Sequence, residues 1–219
     1  MNRMVLWNCL KRCIVVLAAV TGAAAHGYLA RPAARNVQHN SNYCPWCLNS
    51  GGRETVYASG AKRQGLCGDA YAAPRDHEVY GKFASPPRLA GTYKAGGVMQ
   101  VKVTLTANHM GRWSVALCPL SGPSQATEAK ELRQACFRPL QRADGKGPYT
   151  YVDARTSAFS VAYRLPKLTC ARCVLQWVYT TGNSCQVPGL PSKYSGTNLP
   201  SCAPVGPEEF TNCADVALT

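Results

Sequence analysis

VMQVKVTLTANH, residues 98–109, is the stretch whose pattern decides the fold. Met99, Val101, Val103, Leu105 and Ala107 alternate with Gln100, Lys102, Thr104 and Thr106. A period of two with β-branched enrichment predicts a strand with one face on a core and one in solvent. His109 keeps the parity of the apolar set. It therefore sits at the strand end, pointing the way the core side chains point. Met110-Gly111 then makes a turn. Trp113, Val115 and Leu117 alternate again, which predicts a partner strand ending at Cys118-Pro119.

The same signal recurs downstream. Phe159, Val161, Tyr163 and Leu165 alternate up to Pro166, and Cys173, Leu175, Trp177 and Tyr179 form the next set. Phe210, Asn212, Ala214, Val216 and Leu218 form the last, with Asn212 interrupting the apolar face. The connections are long. Residues 120–148 are polar, with a short helix expected over Glu128–Gln134. A Gly/Pro/Ser-rich loop runs from Thr181 to Pro207 and carries Cys185 and Cys202. Upstream, from His26 to Arg75, the chain is rich in Gly, Asn, Ser and Pro and contains Cys44, Cys47 and Cys67. It reads as irregular structure stapled by disulfides. Short alternating strands with long connections predict an all-β chain, an antiparallel β-sandwich with long disulfide-stapled loops. With no repeat and no linker, residues 26–219 are expected to form a single domain.

Residues 1–25 read as a cleaved signal peptide. Arg3, Lys11 and Arg12 form a basic start, Ile14–Val20 a short apolar run, and Ala23-Ala24-Ala25 a small-residue cleavage site. The apolar run is too short to span a bilayer comfortably, so no membrane association is expected. Cleavage after Ala25 removes 25 of the 219 residues and leaves 194, enough for one substantial domain. It removes three basic residues and no acidic ones, so the net charge of +13 falls to +10. The basic residues are scattered, without a stripe of interleaved aromatics, so nucleic acid is not an expected partner. Ten of the 12 cysteines remain, an even number that implies a disulfide framework in a secreted, extracellular protein. The motifs Cys44-Pro-Trp-Cys47 and Cys170-Ala-Arg-Cys173 lie too far apart for a compact zinc ribbon, and disulfides explain them better.

Cleavage after Ala25 would also make His26 the first residue. The α-amine has a low reference pKa, near 7.7–8.0, so it deprotonates readily near neutral pH. Together with the ring of its own residue it can chelate one metal ion. A second imidazole completes a tetragonal nitrogen set, which suits Cu(II). Taken alone, His109 is more simply a buried histidine with a hydrogen-bond partner; the N-terminal histidine shifts the balance toward a metal site formed by His26 and His109. His39 and His77 lie in polar stretches and are expected to be exposed. Phe210 has two readings, core aromatic or a ring shielding one axial side of the metal. Ala107 is small and shares the parity of His109. No carboxylate spacing marks a glycosidase pair, and no G-x-S-x-G elbow is present.

With these residues in place, the chain resembles the lytic polysaccharide monooxygenases, and among them auxiliary activity family 15. The pieces that carry the resemblance are HGYLARPAARN (26–36), CGDAY (67–71), GKF (81–83), LTANHMGRWSVALCP (105–119), CVLQWVYTTGNSC (173–185) and EEFTNCADVAL (208–218). The resemblance implies an immunoglobulin-like or fibronectin-III-like sandwich with copper on a flat face. It implies a histidine brace of His26, through amine and ring, and His109, with Phe210 as the axial aromatic and Ala107 beside the metal. The implied activity is oxidative cleavage of an insoluble polysaccharide, chitin first and cellulose second. An external reductant and O2 or H2O2 would be required, and the chain would act as a monomer. Tyr28, two residues after His26, is a candidate substrate contact. The competing expectation is a non-catalytic polysaccharide-binding protein on the same scaffold.

Overall fold

The computed structural model describes residues 26–39, 44–58, 65–70 and 74–219; the expected signal segment lies outside them. Among the described residues, nine strands form two sheets. The smaller contains β1 (His26–Arg31), β3 (Val98–Ala107) and β7 (Ala158–Arg164), in the order β1-β3-β7. The larger runs β2-β9-β8-β4-β5, with β6 also pairing β4; these are β2 (Leu89–Tyr93), β4 (Gly111–Pro119), β5 (Arg138–Pro139), β6 (Thr150–Val152), β8 (Cys170–Thr180) and β9 (Glu209–Leu218). Every pairing is antiparallel except β2 with β9. The sandwich encloses Met99, Val101, Val103 and Leu105 from one side and Trp113, Val115, Trp177, Tyr179 and Phe210 from the other.

The strand over 98–107 is where the alternation puts it, but its expected partnership with β4 is not formed. The two strands lie in different sheets, and β3 pairs β1 and β7 while β4 pairs β8, β5 and β6. The apolar residues of both face one core from opposite sides, so the chain crosses the sandwich as an arch and does not turn back as a hairpin. Met110 and Gly111 make the crossing with positive φ of 54° and 105°. A side chain at Gly111 would place Cβ 2.1 Å from the Thr180 carbonyl oxygen, so glycine is needed there on two counts.

The stretch read as irregular, with room for a short helix, contains β1 and two short helices, α1 (Arg35–His39) and α2 (Arg53–Ala58). The helix in the polar segment is α3 (Gln125–Glu131), starting three residues earlier than expected because the Ser124 hydroxyl accepts from the Thr127 N–H and caps it. Asn212 does not weaken β9, which is buried on both faces along most of its length. Its Oδ1 accepts from the Leu29 N–H at 2.8 Å, and its Nδ2 donates to the Pro45 carbonyl at 3.3 Å. It therefore ties β1, in one sheet, to β9, in the other. All ten cysteines of residues 26–219 are paired, as 44–47, 67–213, 118–136, 170–173 and 185–202. Both C-x-x-C motifs close on themselves, as a disulfide reading requires.

Candidate metal centre

Strand register places the two histidines at the same end of the smaller sheet. His26 opens β1 and pairs with Ala107 of β3. His109 lies two residues beyond Ala107, on the arch leaving the same end of β3. Both histidines and Ala107 are half-buried. Next to His26, Gly27 runs so close to the core that a Cβ would meet Leu105 Cδ2 at 2.5 Å. That approach seats the first residues of β1 tightly on the sandwich.

Phe210 is 1% exposed and pairs in register with Tyr179. Its ring centroid lies 6.0 Å from that of His26 at 60°, and 6.2 Å from that of Tyr179. Both sequence readings of Phe210 are thus compatible with its position: it belongs to the core, and its ring adjoins the His26 imidazole.

The arch carrying His109 is clamped from several directions. The His109 N–H donates to the Tyr179 hydroxyl at 3.2 Å, and that hydroxyl donates to the Met110 carbonyl at 2.6 Å. Burial pushes the Tyr179 phenol well above its ordinary pKa, although the bond from the His109 backbone opposes the shift. Asn108 Nδ2 donates to the carbonyls of Asp153 and Thr156 at 2.8 and 2.6 Å, while its Oδ1 accepts from the Met110 N–H. The Gly182 N–H donates to the His109 carbonyl at 3.0 Å, and the Asn183 side-chain amide lies 2.6 Å from Nδ1 of the His109 ring. Tyr179 and Asn183 were not singled out in the sequence. Tyr179 looked like the last core residue of a strand, and Asn183 like a polar residue in a loop.

The other two histidines stand apart from this end. His39 is half-buried, and burial together with nearby Arg88 lowers its pKa. His77 corrects the expectation of exposure. It is buried, with Nδ1 2.6 Å from Asp69 Oδ1 and its ring stacked 4.7 Å from Phe83. Its polar sequence neighbours concealed the fold of this loop around the ring. Tyr28 is half-buried, its ring 6.3 Å from Trp46 of the Cys44–Cys47 loop.

The donor chemistry fits a copper ion. Two imidazoles lie at one half-exposed end of the sandwich, and the Asn183 side-chain amide engages Nδ1 of His109, so Nε2 is the ring nitrogen it does not touch. Among the described residues, no group of three or more His, Cys, Asp or Glu gathers as a metal site. A third nitrogen would come from the amine of a chain beginning at His26, which completes the tetragonal set Cu(II) favours.

The family model described as "Lytic polysaccharide mono-oxygenase, cellulose-degrading" matches residues 26–216. The chain belongs to the lytic polysaccharide monooxygenases. An auxiliary activity 15 monooxygenase from Thermobia domestica, solved in the Cu(I) state, is 27% identical with a TM-score of 0.67, covering 88% of this chain and 98% of that one. A family 10 monooxygenase from Micromonospora aurantiaca is 16% identical over 88% of this chain and 99% of that one, with a TM-score of 0.49. The cellulose-active monooxygenase CelS2, solved with copper, is also 16% identical, over 88% and 98%, with a TM-score of 0.41. No curated protein sequence matches at a significant level. The monooxygenase is a copper-dependent oxidoreductase acting on polysaccharide, with the immunoglobulin-like sandwich of its relatives. Among the described residues, no helix is long and apolar enough to cross a membrane.

Proposed function

We propose that the chain is exported, cleaved after Ala25, and works as a secreted, monomeric copper monooxygenase on chitin, with cellulose as second substrate. Residues 26–219 would be its single catalytic domain. The observation that supports this reading is the pairing of His26, the predicted N-terminal residue, with Ala107, two residues before His109. The family match beginning at residue 26 supports the same start.

His26, through its amine and ring, and His109, through Nε2, are the residues that would hold the copper. Bound copper, cycled by an external reductant, supplies the redox chemistry by which O2 or H2O2 oxidises C1 or C4 of a glycosidic linkage. The protein's own contribution is positional. Phe210, its ring 6.0 Å from that of His26, sets apolar surface beside the His26 imidazole and offers no ligand there. Ala107, opposite His26 in the sheet, keeps the space beside the ring small and uncharged. The clamp by Tyr179 and Asn108 holds the His109 backbone in place, so the second imidazole is oriented before a metal arrives. Tyr28, packed against Trp46, presents aromatic surface next to His26 for a polysaccharide chain lying across this end.

Mass spectrometry of soluble products tests the reading. The mature chain, with His26 as verified N-terminus and loaded with copper, is incubated with β-chitin and with cellulose, each with and without ascorbate. Oxidised oligosaccharides that require ascorbate are expected, from chitin foremost. Copper-loaded protein that releases no oxidised products from either polymer would overturn the assignment of substrate.

A further inference from the structure

Two features of the loop after β8 converge on one atom of His109. The first is the contact between the Asn183 amide and Nδ1 at 2.6 Å. The second is how firmly the loop is anchored around it. The Gly182 N–H donates to the His109 carbonyl at 3.0 Å, and the Gly182 carbonyl accepts from the Gly196 N–H at 2.7 Å. The Thr181 N–H reaches the Glu208 carbonyl at 3.0 Å, and the Ser184 hydroxyl accepts from the Glu208 N–H at 3.1 Å. Arg53 donates to the Ser184 carbonyl at 2.9 Å, and the Cys185–Cys202 disulfide closes the loop just beyond. A Cβ at Gly182 would lie 2.2 Å from the Tyr194 carbonyl oxygen and 2.8 Å from the Gly111 nitrogen, so the backbone there is packed to contact. Asn183 itself is exposed, on a rigid support.

We infer that Asn183 is the positioning residue that sets the tautomer and orientation of His109, presenting Nε2 to the copper. This rests on the copper-centre reading above. A neutral imidazole carries one proton on either nitrogen, and only the bare nitrogen can bind a metal. As placed, Nδ2 of Asn183 faces Nδ1; the two ends of a carboxamide are nearly isosteric, and turning the amide over aims Oδ1 at Nδ1 from the same position. An oxygen there accepts a hydrogen bond from Nδ1–H and leaves the lone pair on Nε2. Metal-bound histidines characteristically have their second nitrogen held in this way, and loss of such a partner costs about 10–100-fold in metal affinity. The isolated ring otherwise prefers the proton on Nε2, the form that blocks this ligand position. Asn183 touches neither copper nor substrate in this scheme; it acts through His109.

The test uses the mature chain beginning at His26, as wild type, Asn183→Ala and Asn183→Asp. Long-range nitrogen–proton NMR on the metal-free protein reads the tautomer directly. Wild type is expected to carry the His109 proton on Nδ1, and Asn183→Ala to move it to Nε2. Competitive Cu(II) titration is expected to show at least about a tenfold loss in Asn183→Ala and recovery in Asn183→Asp, which restores an oxygen acceptor. Melting of the metal-free variants is expected to stay at the wild-type value, since an exposed side chain is being changed. If wild type binds copper and Asn183→Ala matches it in tautomer and affinity, the role of Asn183 is wrong and the copper centre stands. If wild type binds no copper, the centre itself is wrong and this inference falls with it.

Discussion

β9 passes two clusters of polar chemistry, five residues apart, built on opposite terms. At its start, Phe210 adjoins His26, and the imidazoles gathered there are half-exposed. Farther along, Asp215 enters a buried group with Arg35, Glu128 and Arg172. Both carboxylates accept from both guanidiniums. Arg35 reaches Asp215 through Nε and an Nη at 2.8 Å each, and Glu128 at 2.9 Å. Arg172 reaches Glu128 at 2.7 Å and Asp215 at 3.4 Å. Burial alone would lower the pKa of Arg35, but Asp215 and Glu128 outweigh it and raise it above its ordinary value. Two positive and two negative side chains are closed on one another there. The cluster links α1, α3, β8 and β9. One region ties the frame together; the other is where the proposed metal site lies.

Substitutions should separate these two regions. His109→Ala is expected to have the largest effect on function and the smallest on folding. Tight Cu(II) binding is abolished in a titration, while the metal-free melting temperature stays within a few degrees of wild type, because the residue is half-exposed. Asp215→Ala is expected to do the reverse. Leaving buried Arg35 and Arg172 with one carboxylate between them should cost about 3–5 kcal/mol, read from urea unfolding. The fraction that remains folded should bind copper as wild type does. Unchanged stability would show that the cluster does not hold the frame. Cys185→Ser with Cys202→Ser should sharpen the boundary, since the disulfide, at a sequence separation of 17, closes a loop that begins two residues after Asn183. A loss of about 3 kcal/mol is expected from loop entropy, accompanied by a smaller drop in copper affinity. This is the one change expected to register in both measurements.

What the sequence revealed follows from how each segment is buried. β3 and β7 each contain a run with one face on the core, and the alternation was plain in Met99–Ala107 and Phe159–Leu165. β1 was hidden because HGYLAR has no β-branched residue and uses Gly27, whose lack of a side chain lets the strand approach Leu105. β2, an edge strand reading LAGTY, is short and only partly buried, so it leaves almost no periodic trace. β9 is buried on both faces, so a two-period reading made Asn212 look like a flaw when it is a satisfied bridge to Leu29. The parity of His109 was legible from residues 98–109 alone. The crossing between sheets was not, because an arch and a hairpin require the same turn residues at Met110-Gly111. The surroundings of His109 arise from segments some 70 residues away, Tyr179 and Asn183, which local patterning cannot join.

The most direct measurement is a Cu(II) titration, followed by electron paramagnetic resonance, on two versions of the mature chain. One begins at His26; the other carries one extra methionine before it. The account predicts tight one-to-one binding and a tetragonal nitrogen signal for the first, with both lost in the second, because the added peptide bond removes the chelating amine. Equal binding and identical spectra for the two chains would contradict a site built on the N-terminus of His26.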